Sequence, residues 1–220
     1  MTKEINDLGL GLEFDSKKVC ILLFADDIVI LGDNEAQMQT LLNFIGEWCK
    51  KWKLKINKDK TKIVHFRNKR TKVTDKKFYI EGDEIELIER YKYLGIVLDQ
   101  YLDYKTTAEV LSGAAGRALG GIIAKFNTFR NIGFKTFTKL FNSGVVPILE
   151  YCAGVWGDGK HECCEKIQQR AIRYYLGVHQ KSPILAIEGD MGWFTCKNRR
   201  YVEMCRLDYG TDLLKWMKTD

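Results

Sequence analysis

Apolar positions follow two rhythms along this chain: short runs through about residue 100, then a period of three to four residues. The most pronounced runs are Ile21-Leu22-Leu23-Phe24 and Ile28-Val29-Ile30-Leu31, separated by Ala25-Asp26-Asp27. Asp is a poor strand former, so the pattern predicts two antiparallel strands with the acids at the turn and the apolar flanks buried. Asn34 then caps a helix, with Gln37 in the capping-box position. Met38, Leu41, Leu42, Ile45, Cys49 and Trp52 make one stripe that packs this helix on a sheet. Leu54–Asn57 reads as extended, residues 57–60 as a turn and Thr61–Phe66 as a strand. Arg67–Lys77 is a polar basic connector. Phe78–Ile80 and Ile85–Ile88 flank a glycine-containing turn and predict a hairpin. Arg90–Leu98 is a further strand or tight hairpin, with Tyr91 and Tyr93 on one face and Gly95 at a bulge or close approach. Residues 1–16 show no obvious element of their own beyond Glu4–Leu8, a candidate helix end followed by Gly9 and Gly11.

From Lys105 the period becomes helical: Leu111, Ala114, Ala115, Ala118, Leu119, Ile122 and Phe126 share a face. Gly113, Gly116, Gly120 and Gly121 weaken this helix and leave room for a partner helix. A second helix from about Lys135 carries Phe137, Leu140, Phe141 and Val145 and breaks at Pro147. Tyr151–Gly159 is a glycine-rich connector. A third helix over about Glu162–Leu176 turns Cys164, Ile167, Ala171, Ile172 and Tyr175 inward and sets Lys166, Arg170 and Arg173 on an outer ridge. Ser182-Pro183 opens a short helix, and Arg199, Arg200 and Arg206 lie on a last one. The architecture expected is α+β: residues 1–100 an antiparallel sheet with a packed helix, residues 101–220 helical.

Charge and cysteine content refine this picture. The net charge is +6, and it is concentrated: from Lys50 to Lys77 about thirteen Lys/Arg face only Asp59 and Asp75. Such a block, with Trp48, Trp52 and Phe66 around it, suits a phosphate backbone or forms a solvated surface. Seven cysteines at irregular spacing, with a polar opening stretch, point to reduced intracellular thiols. His161, Cys163 and Cys164 near Cys152 are either buried thiols or zinc ligands. No apolar stretch reaches the length of a membrane span. The acid pair is open to two readings from the residues alone, a solvated turn or a site for a hard cation such as Mg²⁺.

Three segments in register decide between them. Phe24-Ala25-Asp26-Asp27 between apolar runs resembles the catalytic hairpin of reverse transcriptases. WCKKWKLKINKDKTKIVHF (Trp48–Phe66) is similar to the family's next motif, and RYKYLG (Arg90–Gly95) to the hairpin that grips the primer end. VVPILEYCAGVW and KIQQRAIRYYLG further resemble the polymerases of non-LTR (LINE-type) retrotransposons. The resemblance implies a partial palm over 1–100, carrying the catalytic and primer-grip hairpins, and a helical thumb and C-terminal region over 101–220. It implies RNA template, DNA primer and dNTP as partners, nuclear residence, and two Mg²⁺ ions, with Mn²⁺ as the alternative. Asp26 would be the principal metal ligand and Asp27 the weaker one. Lys60 would neutralise the leaving pyrophosphate, with Lys55 as second choice. Tyr93, Leu94 and Gly95 would support the primer. Lys55, Lys58, Lys62, Arg67, Arg170 and Arg173 would follow the nucleic acid backbone. The family also carries a third metal-binding aspartate and fingers before the catalytic hairpin, and the roughly twenty-residue lead here holds no match to them. The expectation is therefore a C-terminal polymerase fragment, inactive alone. A non-catalytic nucleic-acid-binding module and an inert remnant are the alternatives.

Overall fold

A computed structural model describes residues 1–129 and 133–216. Residues 130–132 and 217–220 of the expected helical half lie outside the described residues. The fold is α+β, with small antiparallel hairpins followed by helices. It divides into two compact units: residues 1–91 with 99–102, and residues 92–98 with 103 onward.

The first unit begins with a short helix at the candidate helix end and with a hairpin that the polar opening stretch did not reveal. Helix α1 (Thr2–Asn6) is followed by β1 (Leu12–Phe14) and β2 (Lys17–Val19), which pair antiparallel. Next come β3 (Ile21–Phe24) and β4 (Asp27–Ile30), joined by Ala25-Asp26, in the register Phe24 to Asp27 and Ile21 to Ile30. Helix α2 (Glu35–Lys51) starts where its cap predicts, with the Gln37 amide donating to Asn34 Oδ1 at 3.0 Å. The Gln37 side chain does not complete a capping box; its Oε1 accepts from the Gly11 amide at 3.2 Å instead. The stripe of α2 is buried at Leu41, Leu42, Ile45 and Cys49, against Ile5, Ile21, Phe78 and Ile80. Trp52 lies outside that core, 60% exposed.

Three expectations for this unit are corrected. There is no continuous sheet among the described residues; β5 (Phe78–Ile80) pairs with β6 (Asp83–Ile85), β7 (Arg90–Tyr93) with β8 (Ile96–Asp99), and each hairpin stands as a two-stranded piece. Thr61–Phe66 is not a strand. Only Ile63 bridges, in parallel with Leu87, because the neighbouring chain offers it one residue's worth of pairing. Without a further strand or a covering layer, the β3–β4 hairpin is buried only at Ile21 and is open toward its tip: Leu22 and Leu23 are 47% exposed, Phe24 60% and Ile28 42%.

The second unit packs helices around one core. Helix α3 (Lys105–Phe129) buries Ala108, Leu111, Ala115 and Leu119. Among its glycines, Gly116 is the one where a partner comes close: a Cβ there would stand 3.3 Å from Ile167 Cδ1. Helix α4 (Phe134–Gly144) ends where Pro147 opens the short α5 (Val146–Leu149). The glycine-rich connector contains a further short helix, α6 (Ala153–Trp156). Helix α7 (Glu162–Leu176) stops at Gly177, and α8 (Ile184–Met191) follows Pro183. Helix α9 (Cys196–Trp216) carries Arg200, which is fully buried with its guanidinium over the Trp156 ring, 5.6 Å from the centroid. No described helix is long and apolar enough to cross a membrane.

Candidate functional site

The β3–β4 hairpin presents the acid pair at its tip. Asp26 is the second residue of the two-residue turn, and Asp27 opens β4 opposite Phe24. Ala25 adopts a φ of 52°, a conformation that costs a residue with a Cβ of order 1–3 kcal/mol and is held by the ladder on either side. Both carboxylates are exposed, and neither accepts a hydrogen bond or ion pair from any described residue. Their valence is therefore free for an external cation. Mg²⁺ is commonly held by one or two carboxylates together with waters and substrate phosphates, so the pair fits part of such a shell. Among the described residues no group of three His, Cys, Asp or Glu side chains completes a metal site.

Lys60 lies in the exposed turn after α2, its amide donating to Asn57 Oδ1 at 3.2 Å. Its carbonyl is fixed by Tyr91, whose hydroxyl donates to it at 2.9 Å. The Lys60 ammonium makes no ion pair among the described residues. Lys55 is exposed beside it in sequence. Three other cations of the basic block are engaged within the protein. Lys58 pairs with Asp83, Lys62 with Glu86 at 2.8 Å and Lys77 with Glu84 at 2.9 Å. Arg67 donates to Gln100 Oε1 at 3.0 Å and to Thr71 O, and stacks over Tyr101. The block read from sequence is thus partly neutralised by the acidic β5–β6 hairpin, which follows it in the chain and folds back on it.

Leu94 and Gly95 form the two-residue turn of β7–β8, with φ of 45° and 87°. Positive φ at both central positions is the I′ hairpin turn, which suits Gly95 and strains Leu94. Sequence reasoning missed the residue that holds this tip. Tyr151, between α5 and α6, donates its hydroxyl to Leu94 O at 3.0 Å, and its ring fills the space over Gly95. A Cβ at Gly95 would lie 2.9 Å from Tyr151 Cε1. The signal available was a tyrosine inside VVPILEYCAGVW. At the hairpin's base, Asp99 accepts from Arg90 Nε and from the Tyr101 amide, at 2.7 and 2.9 Å. Burial works against ionisation of Asp99, but these two donors outweigh it and hold the carboxyl below its ordinary range.

Arg170 and Arg173 stand on the outer face of α7, away from the buried Cys164, Gln168, Ala171 and Ile172. Cys164 of α7 and Cys196 at the start of α9 are fully buried. Burial pushes the Cys164 thiol up to about 12, and burial likewise raises Cys196. We expect a thiol-alkylating reagent at neutral pH to label the exposed Cys152 and leave Cys164 and Cys196 unmodified until the chain is unfolded; peptide mass mapping reads this directly.

Residues 3–98 match the family described as reverse transcriptase (RNA-dependent DNA polymerase). The chain is 26% identical over 168 residues to the probable RNA-directed DNA polymerase from transposon BS of Drosophila melanogaster, covering 72% of this chain and 18% of that protein. It is 26% identical over 191 residues to the RNA-directed DNA polymerase from mobile element jockey of the same species, covering 81% and 20%. The jockey polymerase of Drosophila funebris is 25% identical over 170 residues, covering 73% and 18%. The chain therefore spans about a fifth of the length of the curated relatives it matches. No solved structure matches it.

Proposed function

We propose that this chain, whose residues 3–98 match the reverse transcriptase family, comes from the LINE-type branch and forms the catalytic-hairpin, primer-grip and thumb part of an RNA-directed DNA polymerase. The observation that carries this reading is the unengaged Asp26–Asp27 pair at the tip of a tight hairpin inside the matched segment. In this reading Asp26 is the main holder of divalent metal, Mg²⁺ or Mn²⁺, and Asp27 the lesser one. Two such ions, when bound, favour attack by the primer 3′-oxygen and stabilise the departing pyrophosphate. Lys60 Nζ supplies a positive charge, and a proton, to that leaving group. Tyr93, Leu94 and Gly95 support the primer strand, and Tyr151 positions them through the Leu94 carbonyl. Lys55, Lys58, Lys62 and Arg67 belong to the same backbone-following surface, with Lys55 the most available.

By itself the chain is proposed to be inactive, because two carboxylates without a third hold both ions poorly. The template–primer and dNTP are proposed partners of the whole polymerase. A second reading, a nucleic-acid-binding module without catalysis, rests on the exposed Lys55 and Lys60 of the basic block, which make no ion pair among the described residues. Photocrosslinking from the 3′-terminal nucleotide of a DNA primer on an RNA template separates the two. The polymerase reading expects adducts concentrated on the peptide spanning residues 91–98. Adducts spread evenly over the chain would count against it.

A further inference from the structure

The segment between α5 and α6 is short, strained and tied to α9 on both sides of Tyr151. Cys152 adopts a φ of 53°, in the left-handed region where a residue with a Cβ persists only when its surroundings over-determine it. Its neighbour Tyr151 is 44% exposed, so burial alone does not fix the ring that reaches Leu94. Before Tyr151, Glu150 accepts from Arg199 Nε. The side chains of this ion pair are only 13% and 18% exposed. After Tyr151, Trp156 Nε1 donates to the Tyr151 carbonyl at 2.7 Å. Trp156 is fully buried under the Arg200 guanidinium. At Gly157 a Cβ would stand 3.1 Å from Arg200 Cβ, so α9 lies close against the end of α6.

Arg199 is itself held in place. Its Nη1 donates to the Phe194 carbonyl at 2.8 Å and its Nη2 to the Cys196 sulfur at 3.3 Å. A planar guanidinium fixed in this way presents Nε to Glu150 in one orientation. Neither short helix needs the pair for its own backbone: the Glu150 amide donates to Val146 O at 2.9 Å and the Ala153 amide to Glu150 O at 3.0 Å. A partly buried pair also adds little net stability, because desolvation offsets the attraction; what it supplies is fixed geometry. That geometry falls on Tyr151 and the strained Cys152.

We propose that Arg199 and Glu150 are positioning residues for the Leu94-Gly95 turn: through their ion pair, α9 holds the Tyr151 hydroxyl on the Leu94 carbonyl and so sets where the turn meets the primer end. Without the pair, Cys152 is free to relax toward negative φ, and that change carries Tyr151 off the turn. Arg199 acts here through Glu150 and Tyr151 and touches no nucleic acid. The proposal rests on the polymerase reading only for what the turn meets; the link from α9 to the turn stands on the contacts alone.

Hydrogen exchange of the peptide spanning residues 91–98 in the full 220-residue chain tests the link, and primer photocrosslinking to the same peptide tests its purpose. Tyr151→Phe, Arg199→Ala and Glu150→Ala are each expected to speed exchange there about fivefold, the loss of one hydrogen bond's net contribution. Arg199→Ala in the Tyr151→Phe background is expected to add nothing further, because both act through one contact. Arg199→Lys restores a cation beside Glu150 without the fork and is expected to cost only about twofold. Arg206→Ala breaks only the exposed Arg206–Glu203 pair of the same helix and is expected to leave residues 91–98 unchanged. Circular dichroism checks that each variant is folded, and Arg199→Met, which keeps the packing of the side-chain stem, stands in for either alanine variant that is not. Crosslinks from the primer 3′ end to residues 91–98 are expected to fall about fivefold in Arg199→Ala and to be largely kept in Arg199→Lys. A merely structural role for Arg199 would loosen the start of α9 and leave exchange over 91–98 unchanged. That result, or effects of Arg199→Ala and Tyr151→Phe that multiply, overturns the link. Faster exchange with undiminished crosslinks overturns the positioning role and leaves the polymerase reading in place. Faster exchange in the variants of a chain that gives no crosslinks to residues 91–98 at all would sink the polymerase reading while the link stands.

Discussion

Phe137→Ala is expected to destabilise the helical unit by about 3–5 kcal/mol, the range for truncating a fully buried phenylalanine. Phe137 has no exposed surface. Its ring meets Phe126 edge-on with centroids 5.0 Å apart, stacks on Tyr175 at 4.8 Å and lies parallel to Trp193 at 6.2 Å. Three elements, α3, α4 and α7, and the segment leading into α9 therefore converge on one side chain. Aromatic pairs add about 0.5–1.5 kcal/mol each beyond the area they bury. The surrounding rings are large and locked by one another, so the space left by truncation closes little. Small domains have only about 5–15 kcal/mol to lose. Urea unfolding followed by helical circular dichroism measures the effect, with Phe134→Ala as the comparison; Phe134 is 42% exposed and is expected to cost far less. Equal losses for the two variants would mean that the aromatic cluster is not the centre of this core.

Asp26→Ala carries the largest expected effect on chemistry. Metal ions in such sites contribute several kcal/mol of charge stabilisation, and about 4 kcal/mol corresponds to roughly 10³ in rate. Nucleotide incorporation by a polymerase built with this chain is therefore expected to fall at least about 10³-fold. Asp27→Ala is expected to lose less, because Asp27 opens a strand while Asp26 sits in the turn. Neither change should alter stability beyond about 0.5 kcal/mol, since both side chains are exposed and unpaired. That separation makes the result interpretable: lost incorporation with unchanged unfolding locates the defect in chemistry.

Local signals were the legible ones. Asn34 with the stripe Leu41, Leu42, Ile45 and Cys49 fixed α2 from its cap to its buried face, and Gly177 marked the end of α7. The three motifs around Asp26, Lys60 and Gly95 pointed to the reverse transcriptase family, which residues 3–98 match. Non-local pairing was not legible. Two apolar runs imply burial only if something lies over them, and the described chain places nothing over Leu22, Leu23 and Phe24. Lys58 and Lys62 read as free cations because Asp83 and Glu86, which neutralise them, arrive from a hairpin more than twenty residues later. Arg200 read as one more basic position on a last helix. Burial against Trp156 could not be inferred from its neighbours in sequence. Tyr151 likewise depends on a long-range contact with Leu94 that no local pattern announces.

Primer extension on a primed RNA template, with dNTPs and Mg²⁺, tests the central claim most directly. The 220-residue chain is assayed alone and joined behind the preceding polymerase segment of the Drosophila melanogaster jockey element, each with Asp26 intact and with Asp26→Ala. The expected result is extension by the joined protein only, abolished by Asp26→Ala. Extension by the joined protein that survives Asp26→Ala would contradict the assignment of the hairpin as the catalytic one, and extension by the chain alone would show that a third ligand lies within these residues.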